Sequence, residues 1–119
     1  MARIGFSNAG VKVGDVFVDS WGWEQTNIDF YEVVALKGKA SVELRPIRSI
    51  SSPCGWLEEK VRPDVGNYIV DGWKGRLCGR GEISAVRKVR DWGGGHISIG
   101  AEYLSPCGKD AEYLATHYA

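Results

Sequence analysis

The strongest constraint on the fold is a pair of apolar runs on either side of Lys37-Gly38-Lys39. The first, Phe30 to Leu36, is rich in aromatic and β-branched residues, and the second, Ser41 to Arg45, alternates between polar and apolar side chains. Such runs are typical of β-strands, and a short connection with a central glycine is typical of a β-hairpin. The sequence therefore predicts an antiparallel pair that the other segments must extend or cover.

The same alternation predicts which face of the second strand is buried. The residues expected to face the core are Val42, Leu44 and Ile47. Glu43 and Arg45 are expected to face water. Pro46 is expected to mark an edge or the end of the strand, because proline cannot donate to a strand ladder.

Three further segments are predicted as strands: Asp15 to Ser20, Glu82 to Val89 and His96 to Tyr103, the last two separated by a turn at Asp91 to Gly95. In the first of them both faces should be partly covered, because Val16 and Val18 lie on one side and Phe17 on the other. The expected core residues of the last are Ile97, Ile99, Ala101 and Tyr103.

Two segments allow more than one prediction. Within residues 49–81, Trp56 to Val61 fits one helical turn or a short strand, Tyr68 to Val70 a strand, and Gly75 to Gly81 a glycine-rich loop. A connection this long in a small domain is partly structured or functional. The tail from Asp110 to Ala119 fits a short helix or a strand, and we favour the strand.

A chain of 119 residues is sufficient for one core, so residues 1–119 are expected to form a single domain. Sixteen glycines indicate many tight turns and short strands. Six or seven short strands with almost no helical period predict an all-β fold, either a small antiparallel SH3-like barrel or a rolled sheet with little helix.

The chain has neither a signal-peptide pattern at Met1 to Gly5 nor a long apolar run, so a cytoplasmic location without membrane insertion is expected. Cys54, Cys78 and Cys107 are odd in number and far apart, which favours free thiols over a disulfide framework. Because neither the cysteines nor the two histidines form closely spaced pairs, bound zinc is disfavoured. No cofactor is expected.

The zero net charge conceals an uneven distribution along the chain. Residues 1–44 carry four Lys/Arg against six Asp/Glu, residues 45–90 ten against five, and residues 91–119 one against four, which gives net charges of −2, +5 and −3. Either the middle segment forms a basic surface, or strands from the three segments interleave and mix the charges again.

The stretch from Ser20 to Tyr31 combines costly aromatic area with amide and carboxylate side chains. We expect the core side of this stretch to be formed by Trp21, Phe30 and Tyr31. The residues expected to form a binding edge are Trp23, Gln25, Asn27 and Asp29, aided by Arg76 and Arg80 from the glycine-rich loop. An equally good interpretation is a structural lock, in which the polar side chains satisfy the loop backbone.

The run Ser20-Trp21-Gly22-Trp23-Glu24-Gln25-Thr26-Asn27-Ile28-Asp29-Phe30-Tyr31, preceded by Gly14-Asp15-Val16-Phe17, resembles a family of small proteins carried by phages, prophages and plasmids. The family pattern is Ser-Trp-Gly-aromatic-x-Gln-Thr-Asn-x-Asp-Phe-Tyr between two strands, usually with tyrosine where this chain has Trp23. The similarity extends weakly to Val61-Arg62-Pro63 and to the closing Thr116-His117-Tyr118-Ala119, and residues 49–81 and 100–112 match poorly. It implies a phage or mobile-element setting in a bacterial host and leaves the mechanism open.

Catalysis is disfavoured for two reasons. Cys54 and Cys107 lie in Pro-Cys-Gly turns with no base beside them in the sequence. The glycine-rich runs lack the following helix and the Lys-Ser/Thr pair of a phosphate-binding loop. We therefore predict a non-enzymatic accessory protein that binds a host macromolecule, with inhibition of a host defence system as one such role. A host protein or protein–nucleic acid complex is the favoured partner. The alternatives are a module that binds nucleic acid, and one that binds a small ligand or nucleotide in a pocket.

Overall fold

The computed structural model describes residues 5–6, 10–22, 25–93 and 96–116. Within these ranges the chain forms nine strands and no helix, and every strand pairing is antiparallel. The strands are β1 (Gly5–Phe6), β2 (Val16–Trp21), β3 (Asn27–Lys37), β4 (Ser41–Gly55), β5 (Glu58–Tyr68), β6 (Ala85–Gly93), β7 (His96–Ile99), β8 (Ser105–Cys107) and β9 (Tyr113–Thr116). The all-β prediction is confirmed.

The central hairpin is β3 and β4, as the sequence predicts. Val33 pairs with Leu44 and Phe30 with Ile47, with a register shift between Val33 and Ala35. All three predicted core residues of β4 are buried: Val42, Leu44 and Ile47. The expectation that Glu43 and Arg45 face open water is wrong, because both are half-buried; the Arg45 guanidinium lies 4.3 Å from the centre of the Tyr68 ring.

The prediction that Pro46 marks an edge or a strand end is also wrong, since β4 continues to Gly55. β4 changes neighbours at this residue: β6 pairs with it up to Leu44, and β5 from Ile47 onwards. The Pro46 carbonyl accepts a hydrogen bond of 3.0 Å from the Ile69 amide. Because the nitrogen and carbonyl of a strand residue point to the same side, the proline ring occupies the junction between β6 and β5.

β2 and β3 are buried on both faces, as expected for residues 16–18. The first core contains Phe17, Tyr31, Val33, Val42, Leu44, Val89, Ile99 and Leu104, among others. The second core, on the opposite face, contains Val16, Val18, Phe30, Ile47, Val61 and Ala115. The described strands form a rolled sheet that has a core on each face and does not close into a barrel.

Residues 49–81 are partly structured. The strand interpretation of the segment after Trp56 is correct, since β4 and β5 form a long hairpin with Trp56 and Leu57 in its turn. Residues 69–84 then form a connection without a strand, so the predicted strand at Tyr68 to Val70 is wrong beyond Tyr68, which ends β5. We call residues 69–84 the β5–β6 connection.

The C-terminal predictions require two corrections. β6 begins at Ala85, not Glu82, and extends to Gly93. β7 ends at Ile99, after which the chain turns, so Ala101 and Tyr103 are exposed instead of buried and Leu104 joins the core. The tail forms strand β9 against β5, which agrees with the strand prediction; residues 117–119 lie outside the described part.

Candidate functional site

The stretch from Ser20 to Tyr31 covers the end of β2, the turn and the start of β3. Pairing places Asp19 opposite Asp29, and Trp21 opposite Asn27. Two carboxylates on facing positions repel each other unless donors separate them. Residues 23–24 lie outside the described ranges, so the structure does not place Trp23, a predicted site residue.

The turn between β2 and β3 is held by its own polar groups. Gln25 Nε2 donates to Asn27 Oδ1 at 3.3 Å, and the Thr26 amide donates to Thr116 Oγ1 at 2.8 Å. Gly22 has φ +134, and a Cβ atom there would lie 2.2 Å from the Gln25 carbonyl oxygen. Only glycine therefore fits this turn. These contacts give Gln25 and Asn27 a structural role at the turn.

Asp19 is paired with Arg76, which comes from the β5–β6 connection. Arg76 Nε donates to Asp19 Oδ2 at 2.9 Å and Nη2 to Oδ1 at 2.7 Å, the forked geometry that suits a carboxylate. Asp19 is only 2% exposed, whereas the Arg76 side chain is 38% exposed. The Asp19 carboxylate raises the pKa of Arg76. This ion pair fastens the β5–β6 connection to β2.

Asp29 lies beside two tryptophans. Trp21 Nε1 donates to Asp29 Oδ2 at 2.7 Å. The Trp21 and Trp73 rings are 5.9 Å apart between centroids and tilted by 41°. Burial raises the pKa of Asp29, and the indole groups of Trp21 and Trp73 oppose that shift. Trp73 therefore packs against Trp21 although it is 61% exposed.

A third contact fastens the connection at Gly75. Its φ is +86, and a Cβ atom there would lie 1.8 Å from the Tyr31 hydroxyl oxygen, so a side chain cannot be accommodated. Tyr31 is fully buried, and burial raises the pKa of its hydroxyl. With Gly75 and Arg76 docked on β2 and β3, the neighbouring Trp73 is presented on a rigid base.

Trp73 separates two surface concavities of about 300 and about 290 Å³. The first also contains Arg48 and Ser49 of β4, and the second Lys74 and Arg80 of the β5–β6 connection. Arg48 and Arg80 are exposed and Lys74 is half-buried. We call Trp73 together with Arg48, Lys74 and Arg80 the Trp73 platform.

The structure therefore brings together some of the predicted site residues. Asp29 and Arg76 belong to the cluster beneath the Trp73 platform, and Arg80 belongs to the platform itself. The sequence prediction missed Trp73, Arg48 and Asp19. For Trp73 a signal existed, because a tryptophan between Gly72 and Gly75 in a long connection is an exposed aromatic in a turn-rich segment.

The charged segments of the chain mix in the fold. Arg76 of the basic middle segment pairs with Asp19 of the first, and Arg87 lies 3.5 Å from Glu102 of the last. This agrees with the interpretation that the strands interleave. Two cations of the Trp73 platform stay outside such pairs: among the described residues, neither Arg48 nor Arg80 has a carboxylate partner.

The cysteine thiols and the potential metal ligands show no arrangement for catalysis among the described residues. Cys54, Cys78 and Cys107 are free thiols, and burial raises the pKa of both Cys78 and Cys107. Raised values keep a thiol protonated and poorly nucleophilic at neutral pH. Over the ranges that the structure describes, no three His, Cys, Asp or Glu side chains are placed to hold a metal ion.

Comparison of the chain with protein-family models, curated proteins and solved structures found no match. The resemblance to a phage-borne family therefore stays a prediction. The described residues contain no helix long and apolar enough to cross a membrane.

Proposed function

We propose that this protein acts by binding a host macromolecule, as a non-enzymatic accessory protein of a phage or other mobile element in the bacterial cytoplasm. Inhibition of a host defence system is the role that the phage setting suggests for such binding. The observation that supports this proposal is the Trp73 platform, an exposed indole held rigidly among three cations.

The rigidity of Trp73 is the central point. Burying an indole in a partner releases a large apolar area from water, and tryptophan and arginine are enriched among residues that dominate binding energy. Ordering a mobile side chain reduces that gain. Here the contact with Trp21 and the anchoring of the β5–β6 connection by Arg76 order Trp73 in advance.

Catalysis has less support. The carboxylates of Asp19 and Asp29 are both engaged, one by Arg76 and the other by the Trp21 indole, so neither is poised beside a substrate. The raised pKa values of Cys78 and Cys107 oppose a nucleophilic role. The concavities beside Trp73 lie at the lower end of the ~300–1,000 Å³ range of ligand pockets, which favours surface contact over enclosure of a small molecule.

The test is capture of partners from host lysate by wild-type protein, Trp73→Ala and Trp92→Ala. Trp92 is a matched control, since it is 48% exposed and its indole donates to Ser98 Oγ at 2.9 Å. We expect Trp73→Ala to lose the captured partner and Trp92→Ala to retain it, with both variants folded by circular dichroism. Equal capture by all three proteins would contradict a role for the Trp73 platform.

A further inference from the structure

We infer that the Trp73 platform binds single-stranded nucleic acid, with a base stacked on Trp73 and phosphates on the cations at either side. This inference rests on the proposed function and names the chemistry of its partner. It is carried by the arrangement of one rigid exposed aromatic between two groups of cations.

The stacking surface is provided by the Trp73 indole. Trp21 packs against it at a centroid distance of 5.9 Å, and the nearby Arg76 anchors the β5–β6 connection to Asp19. Bases stack on an aromatic face with little regard to sequence, because every base has a π-face. Duplex DNA offers no such face except at its ends. The platform should therefore prefer single strands.

Cations line the concavities on which the phosphates of a nucleic-acid strand would lie. Arg48, with Ser49, lines the concavity on one side of Trp73, and Lys74 and Arg80 line the concavity on the other. The backbone of a stacked nucleotide leaves with one phosphate in each direction, and each of the two concavities offers a positive side chain to bind it. Glu82, an acidic neighbour, accepts a hydrogen bond from the Gly79 amide and shapes the loop that carries Arg80.

A footprint of two or three phosphates is consistent with a chain of zero net charge. Each neutralised phosphate of a single strand contributes about −0.7 to the slope of log K against log salt. The platform should therefore give a slope of roughly −1.4 to −2. A strongly basic protein would give a much steeper slope, so this value is characteristic of the site.

The experiment measures the fluorescence anisotropy of labelled ten-nucleotide oligothymidylate, ten-nucleotide oligouridylate and a short DNA duplex. Each is titrated with the full-length protein at several salt concentrations. We expect both single strands to bind and the duplex to bind at least tenfold more weakly. Thymidylate and uridylate share the proposed chemistry. A difference between them would identify DNA or RNA as the preferred source of the strand.

Variants localise the binding. Trp73→Ala should weaken it by about 10- to 100-fold, because one stacked base is lost, and Trp73→Phe should restore most of it. Arg48→Gln and Arg80→Gln should each reduce the salt slope by about 0.7. Trp92→Ala and Lys39→Gln, which alter an aromatic and an exposed cation outside the platform, should change neither the affinity nor the slope.

The inference is overturned if neither oligomer binds, if the duplex binds as tightly as the single strands, or if Trp73→Phe binds as poorly as Trp73→Ala while remaining folded. Failure of the proposed function is a separate result. If Trp73→Ala abolishes capture of a protein from nuclease-treated lysate while the oligomers do not bind, the platform serves a protein partner. If it changes neither readout, both proposals are wrong.

Discussion

The ion pair between Asp19 and Arg76 provides a quantitative test of how the β5–β6 connection is held. Arg76→Met keeps an unbranched apolar stem and removes the charged guanidinium, which leaves Asp19 at 2% exposure without its partner. Breaking a fully buried pair costs about 3–5 kcal/mol. Because Arg76 is 38% exposed, water can reach Asp19 in the variant, and we expect a loss of about 2–3 kcal/mol.

A loss of this size should lower the melting temperature by about 10 °C in a domain of this length. Urea titration followed by tryptophan fluorescence measures the free energy of unfolding directly. Asp19→Asn combined with Arg76→Met removes both charges, and also the repulsion between Asp19 and Asp29, so the double variant should lie within about 1 kcal/mol of wild type.

The control is Arg62→Met, an exposed arginine on β5 whose replacement should change the stability by less than about 0.5 kcal/mol. The reasoning is refuted if Arg76→Met behaves like Arg62→Met. It is also refuted if the double variant loses as much as Arg76→Met and Asp19→Asn measured alone lose together, because that additivity would mean that Asp19 and Arg76 do not stabilise each other.

Three further predictions concern single positions. Gly75→Ala should cost about 2–4 kcal/mol in urea titration, because its Cβ meets the Tyr31 hydroxyl, whereas Gly72→Ala, with φ +85 and no atom within 4 Å, should cost only about 1 kcal/mol. Asp29 has a pKa raised from 3.8 by burial, so the folded state holds its proton to higher pH than the unfolded state. The stability of wild type relative to Asp29→Asn should therefore fall as the pH rises from 3.8 through the raised pKa, and denaturation at several pH values measures this difference. Cys54 should react first with a thiol reagent followed by mass spectrometry, because it is exposed and the other two cysteines are partly buried.

The central hairpin could be predicted because its information is local. Alternation over Ser41 to Arg45 and a glycine turn predict the pairing and the burial of Val42 and Leu44. The pairing is confirmed because β3 and β4 meet across a short turn. Alternation did not show that the other face is covered as well: Glu43 and Arg45 are half-buried, and Ile47 packs in the second core.

The wrong predictions concern residues whose conformation is set by pairing with a strand that is distant in the sequence. Pro46 reads locally as a strand end, yet β4 continues because β5 replaces β6 as its neighbour at that residue. Tyr103 continues an alternating pattern, yet the chain turns after Ile99 and adopts φ +56 at Tyr103 so that Leu104 can enter the core. Neither event has a signature within a few residues, because each depends on tertiary pairing.

The candidate site also depends on a contact between residues that are distant in the sequence. From the sequence, the polar residues of the stretch from Ser20 to Tyr31 could be either a lock or a binding edge. In the structure Asp29 binds Trp21, and Trp21 packs against Trp73, which lies 44 residues beyond Asp29 and carries the exposed surface. No periodicity links these positions. A buried carboxylate needs a donor, but which donor it receives is a property of the fold.

The residues that support the Trp73 platform and the residues that it exposes lie in different parts of the chain. The stretch from Ser20 to Tyr31 contributes Trp21 and Asp29 beneath Trp73, whereas Trp73, Arg48 and Arg80 lie outside that stretch. The β5–β6 connection contributes few residues to either core, so the exposed residues on it can change without loss of the fold. We therefore expect substitutions at Trp73, Arg48 and Arg80 to change what the protein binds and to leave its fold intact.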